Sequence, residues 1–285
     1  MPDRDEHIIE ALGKTRVVVR NGRVDEVGQP LIRECPLAKR FDRPVVEIRP
    51  ETVKENIEYR ISSFGMCTKD RILTSEEDFV TFGASEMISA AIKRGMLDCA
   101  VVVCDGVGTI VVTTPKLVQG TGGRISGIVK TSPIREVIER IGANGGRVLD
   151  PAKATIDQVK GVEMAYGLGF KKIAVTVTKQ KDAETIRRRR PEVLVFGVHL
   201  TGVSKEEAKR LVDNCDVVAG CASRWVREIA GRCAALQAGT SIPVFALTKR
   251  GKELIAEKIE DVQMQLLAKI EKLPYTEGKV PEPLV

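Results

Sequence analysis

At 285 residues the chain suits one large or two modest domains and is long enough to bury a substantial core. Its hydrophobic share of 43% and charged share of 29% are ordinary for a globular protein, while aromatics at 4% leave the core to Val, Ile, Leu and Ala, a bias toward α/β layering. The net charge of +6 is spread along the chain apart from Arg187-Arg188-Arg189-Arg190, which has no interleaved aromatics and argues against nucleic acid, and no apolar stretch nears the roughly 18 residues a membrane span needs.

A short helix is expected over 5–12, carrying His7. Two β runs then flank Asn21-Gly22, the strongest short-range hairpin signal. The stretch 31–78 is punctuated by Pro36, Pro44 and Pro50, with a helix over 51–60. Residues 1–80 read as a smaller, irregular α+β portion.

From residue 85 the pattern becomes regular. A helix with Met87, Ile88, Ala91 and Ile92 stops at Gly95, and the β-branched run 100–104 ends abruptly in Asp105-Gly106. A strand over 109–113 and a helix opened by Thr114-Pro115 follow, then a glycine-rich interruption at 119–127 and a helix after Ser132-Pro133. Beyond 150, Thr155 with Gln158 and Ser204 with Glu207 read as capping boxes. Strands over 172–176, 193–198, 216–219 and 243–247 alternate with helices over 183–190, 204–215 and 223–236, and a long helix runs over 251–273. This is the signature of an α/β fold with a parallel-sheet βαβ core over 81–273, with a break near 150 if it splits into two lobes. The last helix carries a stripe for packing on its own sheet, with a homodimer seam as the lesser use, and the tail 274–285 reads as loose.

Seven cysteines, an odd number, follow an opening without a basic, then apolar, leader pattern, so a cytoplasmic location with reduced, metal-bound or redox-active thiols is expected. Cys99, Cys215 and Cys233 lie on apolar stripes and read as core thiols. Cys35, Cys67, Cys104 and Cys221 sit in turn-like surroundings. Cys104 and Cys221 each end a β run, and His199 ends another, so the carboxyl edge of a parallel sheet gathers them. A thiol there is suited to soft-metal ligation, with these four cysteines as one ligand set for an iron–sulfur cluster. No Cys-x-x-Cys occurs, and buried inert thiols are the competing reading for each cysteine. The turn residues Asp105, Gly106, Gly108 and Thr109, with His199, form a candidate cofactor edge. Gly120, Gly122, Gly123 and Arg124 form a second one, a backbone cradle for a phosphate-bearing cofactor, weighed against a plain connector, while a flavin-like cofactor is the alternative to the cluster at the carboxyl edge. No Ser-His-Asp set is evident, and no catalytic residue is assigned.

The segments 5–12, 15–22, 64–68, 95–109 and 120–127 resemble the archaeal family called methanogenesis marker protein eight, a domain of unknown function, and the likeness runs over about residues 5–260. The resemblance implies a link to methanogenic metabolism in a strictly anaerobic, cytoplasmic setting, and brings no substrate or catalytic residue. The stretch 83–103 with Thr113-Thr114-Pro115 is similar to the beta subunit of the deazaflavin-reducing hydrogenase, whose family binds flavin and an iron–sulfur cluster, although its clustered cysteines are missing here. Two functions follow as expectations. One is a protein binding a redox centre at the carboxyl edge of its sheet. The other is an assembly or interaction factor for a methanogenic enzyme such as methyl-coenzyme M reductase.

Overall fold

The computed structural model describes residues 5–123, 127–263, 265–267 and 269–285. The chain opens with strands β1 (Glu6–Glu10), β2 (Arg16–Arg20) and β3 (Arg23–Val27), an antiparallel meander. Asn21 and Gly22 join β2 to β3 with φ of 51° and 70°, the positive pair that a tight hairpin turn demands. Helix α1 (Pro50–Phe64) starts on proline and stops at Gly65, whose φ of 72° provides a left-handed cap. Then come α2 (Ala84–Lys93), β4 (Cys99–Cys104), β5 (Gly108–Val112), α3 (Pro115–Gly122), β6 (Gly127–Lys130), α4 (Arg135–Ala143) and β7 (Gly146–Val148). The remainder alternates through α5 (Gln158–Gly167), β8 (Ile173–Val177), α6 (Gln180–Arg189), β9 (Leu194–Gly197), α7 (Lys205–Asn214), β10 (Val217–Ala219) and α8 (Arg224–Cys233). A closing group holds β11 (Leu236–Ala238), β12 (Val244–Ala246) and α9 (Lys249–Glu260).

The larger sheet has eight strands in the order β11-β12-β10-β9-β8-β4-β5-β7. Its centre, β10-β9-β8-β4, is parallel, so the α/β class is correct, but the flanks are antiparallel and the sheet is mixed. The reason is loop length. Only Asp105, Gly106 and Val107 join β4 to β5, far too few residues for a crossover, so the chain turns straight back.

Period-two alternation splits the side chains of this sheet. Ala100, Val102 and Cys104 face a layer built from α2, α3, α4 and α9. Cys99 and Val101 face the opposite layer, built from α5, α6, α7 and α8. The strands are apolar on both sides because both sides are covered.

The second sheet, in the order β3-β2-β1-β6, takes its fourth strand from the middle of the chain. The strands of residues 6–27 therefore share their sheet with β6. The helix expected over 5–12 is instead β1, because His7 and Ile9 are buried while Glu6, Ile8 and Glu10 alternate with them at the period of a strand.

Other boundaries also move. Asp157, not Thr155, caps α5 by accepting from the Lys160 N–H, and Gln158 turns inward to bond Thr109 Oγ1 and the Thr176 carbonyl. The helix after Ser223 ends at Cys233, and Leu236 begins a strand. The last helix ends at Glu260. Its inner face, Leu254 and Ile255, packs on the molecule's own first layer, while Leu266, Leu267 and Ile270 stand exposed past its end. The Ser204–Glu207 capping box forms as expected. The tail is not loose: Tyr275 bonds Gln237, Glu282 pairs with Glu34, and Val285 bonds Ala222.

Candidate functional site

The carboxyl ends of the parallel strands deliver the hairpin turn at Asp105, the turn at Thr178, the turn at His199 and the turn at Cys221. The small sheet lies across this edge. Gly106 N–H donates to Thr131 Oγ1 (2.7 Å) beyond β6, Lys14 Nζ donates to the Thr201 carbonyl (2.9 Å), and Glu10 Oε2 on β1 meets His199 Nε2 at 3.0 Å. The position where α/β sheets bind ligands is thus covered by a second sheet.

At the hairpin end of the edge, Asp105 is bound from every side. Arg71 Nε donates to its Oδ1 (2.9 Å) and the Cys67 N–H donates to its Oδ2 (2.6 Å), with Arg71 0% and Asp105 1% exposed. Burial alone raises the Asp105 carboxyl, but Arg71 and the Cys67 N–H outweigh it and hold the group below the usual carboxylate range. Arg71 also donates to the Gly120 carbonyl. His7, fully buried on β1, meets Thr131 Oγ1 through Nδ1 at 2.6 Å, and its Nε2 lies 2.8 Å from Asp5 Oδ1. Burial first, and the Asp105 charge second, push the Cys67 and Cys104 thiols well up. These two cysteines are neighbours, neutral and shut away, and the opening that the sequence suggested at Cys104 is filled by Arg71 and the small sheet.

The other sequence-picked residues on this side are absorbed by packing. Thr109 Oγ1 donates to Gln158 and accepts from the Asp157 N–H. Gly108, at φ 79°, leaves only 2.3 Å between a would-be Cβ and the Ala154 carbonyl oxygen. Gly120 and Gly122 belong to α3, and a Cβ on Gly120 would stand 2.1 Å from the Leu73 carbonyl oxygen. Gly122 backs onto Ser85 and Gly123 onto Phe79. Their glycines serve close approach inside the protein, and Arg124 lies outside the described residues. In the arginine run, Arg187 bonds Asp216 and three carbonyls, and Arg190 pairs with Glu163 at 2.7 Å.

At the opposite end stand Cys221 and Cys35, both half-buried, in loops that Glu282 and Val285 tie together. Ala222 and Cys35 belong to the same apolar cluster under the small sheet. Burial raises the Cys221 thiol above its ordinary range and Cys35 adds to that, while the Leu200 and His199 backbone and the Arg227 guanidinium offset only part of the rise. Arg227, only 5% exposed, donates to the Cys221 carbonyl through Nε (2.9 Å) and Nη2 (2.6 Å) and to the Ser241 carbonyl (2.7 Å). Its charge is felt by both thiols and by no carboxylate that bonds it among the described residues.

Two backbone features mark this end. Cys221 has φ 41° and His199 φ 58°, left-handed conformations that cost a non-glycine residue roughly 1–3 kcal/mol each. The His199 imidazole points against β6, where a Cβ on Gly127 would come within 2.6 Å of Nε2. The hydrogen bond from His199 holds Glu10 below the usual carboxylate range, against the opposing effect of burial and with help from Lys14.

The four cysteines thus differ in setting: Cys67 and Cys104 form a fully buried pair flanking Asp105, while Cys35 and Cys221 form a half-buried one. Among the described residues no group of three or more His, Cys, Asp or Glu side chains is placed to hold a metal ion. Cys99 and Cys215 are buried as expected, whereas Cys233 is exposed at the end of α8. Sequence reading missed Glu10, Arg71 and Arg227. Glu10 was hidden by the helix reading of β1, and Arg227 sits within the otherwise apolar face of α8, where an inward cation has no periodic signal.

Among the described residues no helix is long and apolar enough to cross a membrane. No solved structure matches the chain. A protein of Methanocaldococcus jannaschii described as "Uncharacterized protein MJ0054" is 47% identical over 285 residues, covering 99% of this chain and 100% of its own length. Residues 7–260 match the family described as "Uncharacterized protein conserved in archaea (DUF2099)", and on that span, which holds both sheets and both cysteine pairs, the chain belongs to this archaeal family.

Proposed function

We propose that the protein carries a thiol redox centre at the carboxyl edge of its larger sheet, formed by Cys221 with Cys35. The observation that carries this reading is that two half-buried cysteines stand in loops tied together by Glu282 and Val285, with the Cys221 carbonyl held by the buried Arg227. Loss of two protons and two electrons, taken up by a disulfide oxidant, joins the two sulfurs, and a dithiol reductant reverses the step. Burial keeps the Cys221 thiol above its ordinary range and Arg227 offsets part of that, so the thiolate that must attack forms more readily as pH rises. The Glu10–His199 hydrogen bond anchors the turn at His199 to the small sheet.

The residues present do not fit an iron–sulfur cluster held by four cysteines of one chain, because full burial and the Asp105 charge keep Cys67 and Cys104 from the thiolate form that ligation needs. A soft metal bridging Cys35 and Cys221 uses the same two thiolates. The link to methanogenic metabolism rests on the resemblance to the methanogenesis marker protein eight family. The test is differential alkylation with mass spectrometry of anoxically purified protein, before and after treatment with oxidised glutathione, alongside iron, sulfide and metal analysis. A Cys35–Cys221 disulfide peptide is expected. Full alkylation of both residues after oxidation, in metal-free protein, would count decisively against the centre.

A second reading is an assembly or interaction factor for a methanogenic enzyme. The exposed Leu266, Leu267 and Ile270 beyond α9 favour it, since clustered apolar side chains in water mark contact surfaces. Co-purification from native extract that is lost on Leu267→Asp would support it.

A further inference from the structure

We infer that residues 281–285 form a strap that gates access to the Cys35–Cys221 pair, an inference that rests on the thiol-centre reading above. The segment is fastened at two points, and each point is the immediate neighbour of one cysteine. Glu282 pairs with the residue before Cys35: the Arg33 and Glu34 N–H groups donate to its carbonyl (2.7 and 3.1 Å), and its own N–H donates to the Glu34 carbonyl (3.0 Å). Val285 pairs with the residue after Cys221: its N–H donates to the Ala222 carbonyl (2.9 Å), and its carbonyl accepts from the Arg224 N–H (2.8 Å). The side chains follow the same path, with Pro281 buried and Val285 packed against the cluster that contains Ala222 and Cys35.

The fastening is strong enough to order the segment and weak enough to release it. It consists of a few backbone bonds and two small apolar contacts, with Glu282, Pro283 and Leu284 exposed between them. Segments with few buried contacts open locally at far lower free energy than the sheet they cover. The strap bridges the loop of Cys35 and the turn of Cys221, so a closed strap holds the thiols as neighbours and shields them. An open strap exposes them to a thiol or disulfide substrate.

The test compares alkylation rates of the individual cysteines, read by mass spectrometry, in the full chain and in the variant Pro281→Asp/Val285→Asp. Cys35 and Cys221 are expected to react at least about tenfold faster in the variant, with Cys233 unchanged and Cys67 and Cys104 still protected. Unchanged rates overturn the strap, as does a rise at Cys67 and Cys104 as well, which would mean the segment supports the whole fold. Hydrogen exchange on the unmodified protein provides a second measure. The Arg33, Glu34 and Arg224 amides are expected to exchange much faster than those of β8 and β9, and equal protection contradicts the gate. Neither result depends on whether the two thiols form a disulfide, so the strap and the redox centre stand or fall separately.

Discussion

His199 and Glu10 join the two sheets through one hydrogen bond, Nε2 to Oε2 at 3.0 Å, and His199 makes it from a left-handed backbone at φ 58°. Glu10 titrates below the usual carboxylate range because His199 bonds its charged form. A carboxyl depressed on folding stabilises the protein above its unfolded value, about 4.3, and loses that contribution as pH falls through the folded one. Glu10→Gln is therefore expected to lower the melting temperature at neutral pH, with the gap to the parent closing as pH drops below about 4. Melting curves against pH check this, and a pH-independent gap would contradict it.

Arg71 and Asp105 make a different kind of ion pair, buried within the molecule. Removing either partner strands a charge away from water, so Asp105→Ala or Arg71→Ala is expected to cost about 3–5 kcal/mol in urea unfolding. The double variant should cost clearly less than the two single losses added together. Additive losses would mean the two groups do not act on each other.

Glu86 runs the opposite way from Glu10. It is 2% exposed, and burial raises its carboxyl despite hydrogen bonds from Gln119 and from the Phe79 and Val80 N–H groups. A raised carboxyl contributes most below its unfolded value, near 4.3, and its contribution declines as pH climbs through the folded one. Glu86→Gln keeps an acceptor oxygen without the charge. Its stability relative to the parent is expected to improve as pH rises above about 4.3, and a constant difference would contradict that.

Gly120 separates the cradle reading from the packing reading. A Cβ there meets the Leu73 carbonyl oxygen at 2.1 Å and the Thr74 nitrogen at 2.5 Å, all backbone. Gly120→Ala is expected to destabilise by about 1–3 kcal/mol, measured by chemical unfolding. Unchanged stability would show that the glycine is there for something other than close packing.

These contacts show where the sequence was legible. The βα alternation from Ile173 onward, the Asn21-Gly22 hairpin and the capping box at Ser204 are local signals, and each is found in place. Cys221 and His199 at strand ends followed from the same alternation. What could not be read was long-range. Whether β4 continues into a crossover or a hairpin depends on three turn residues, and β1 was mistaken for a helix because five residues of mixed polarity fit both periods. The partition of cysteines into two pairs depends on the small sheet closing over the carboxyl edge, with β6 arriving from the middle of the chain, and no spacing encodes that.

The most direct measurement is an equilibrium titration of the anoxic protein in glutathione buffers, with the Cys35–Cys221 disulfide quantified by mass spectrometry at each potential. A single two-electron transition confined to these residues, about 30 mV for each tenfold change in the ratio of disulfide to dithiol, is expected. Mixed glutathione adducts on separate cysteines, with no Cys35–Cys221 bond at any potential, would contradict a redox centre at this edge.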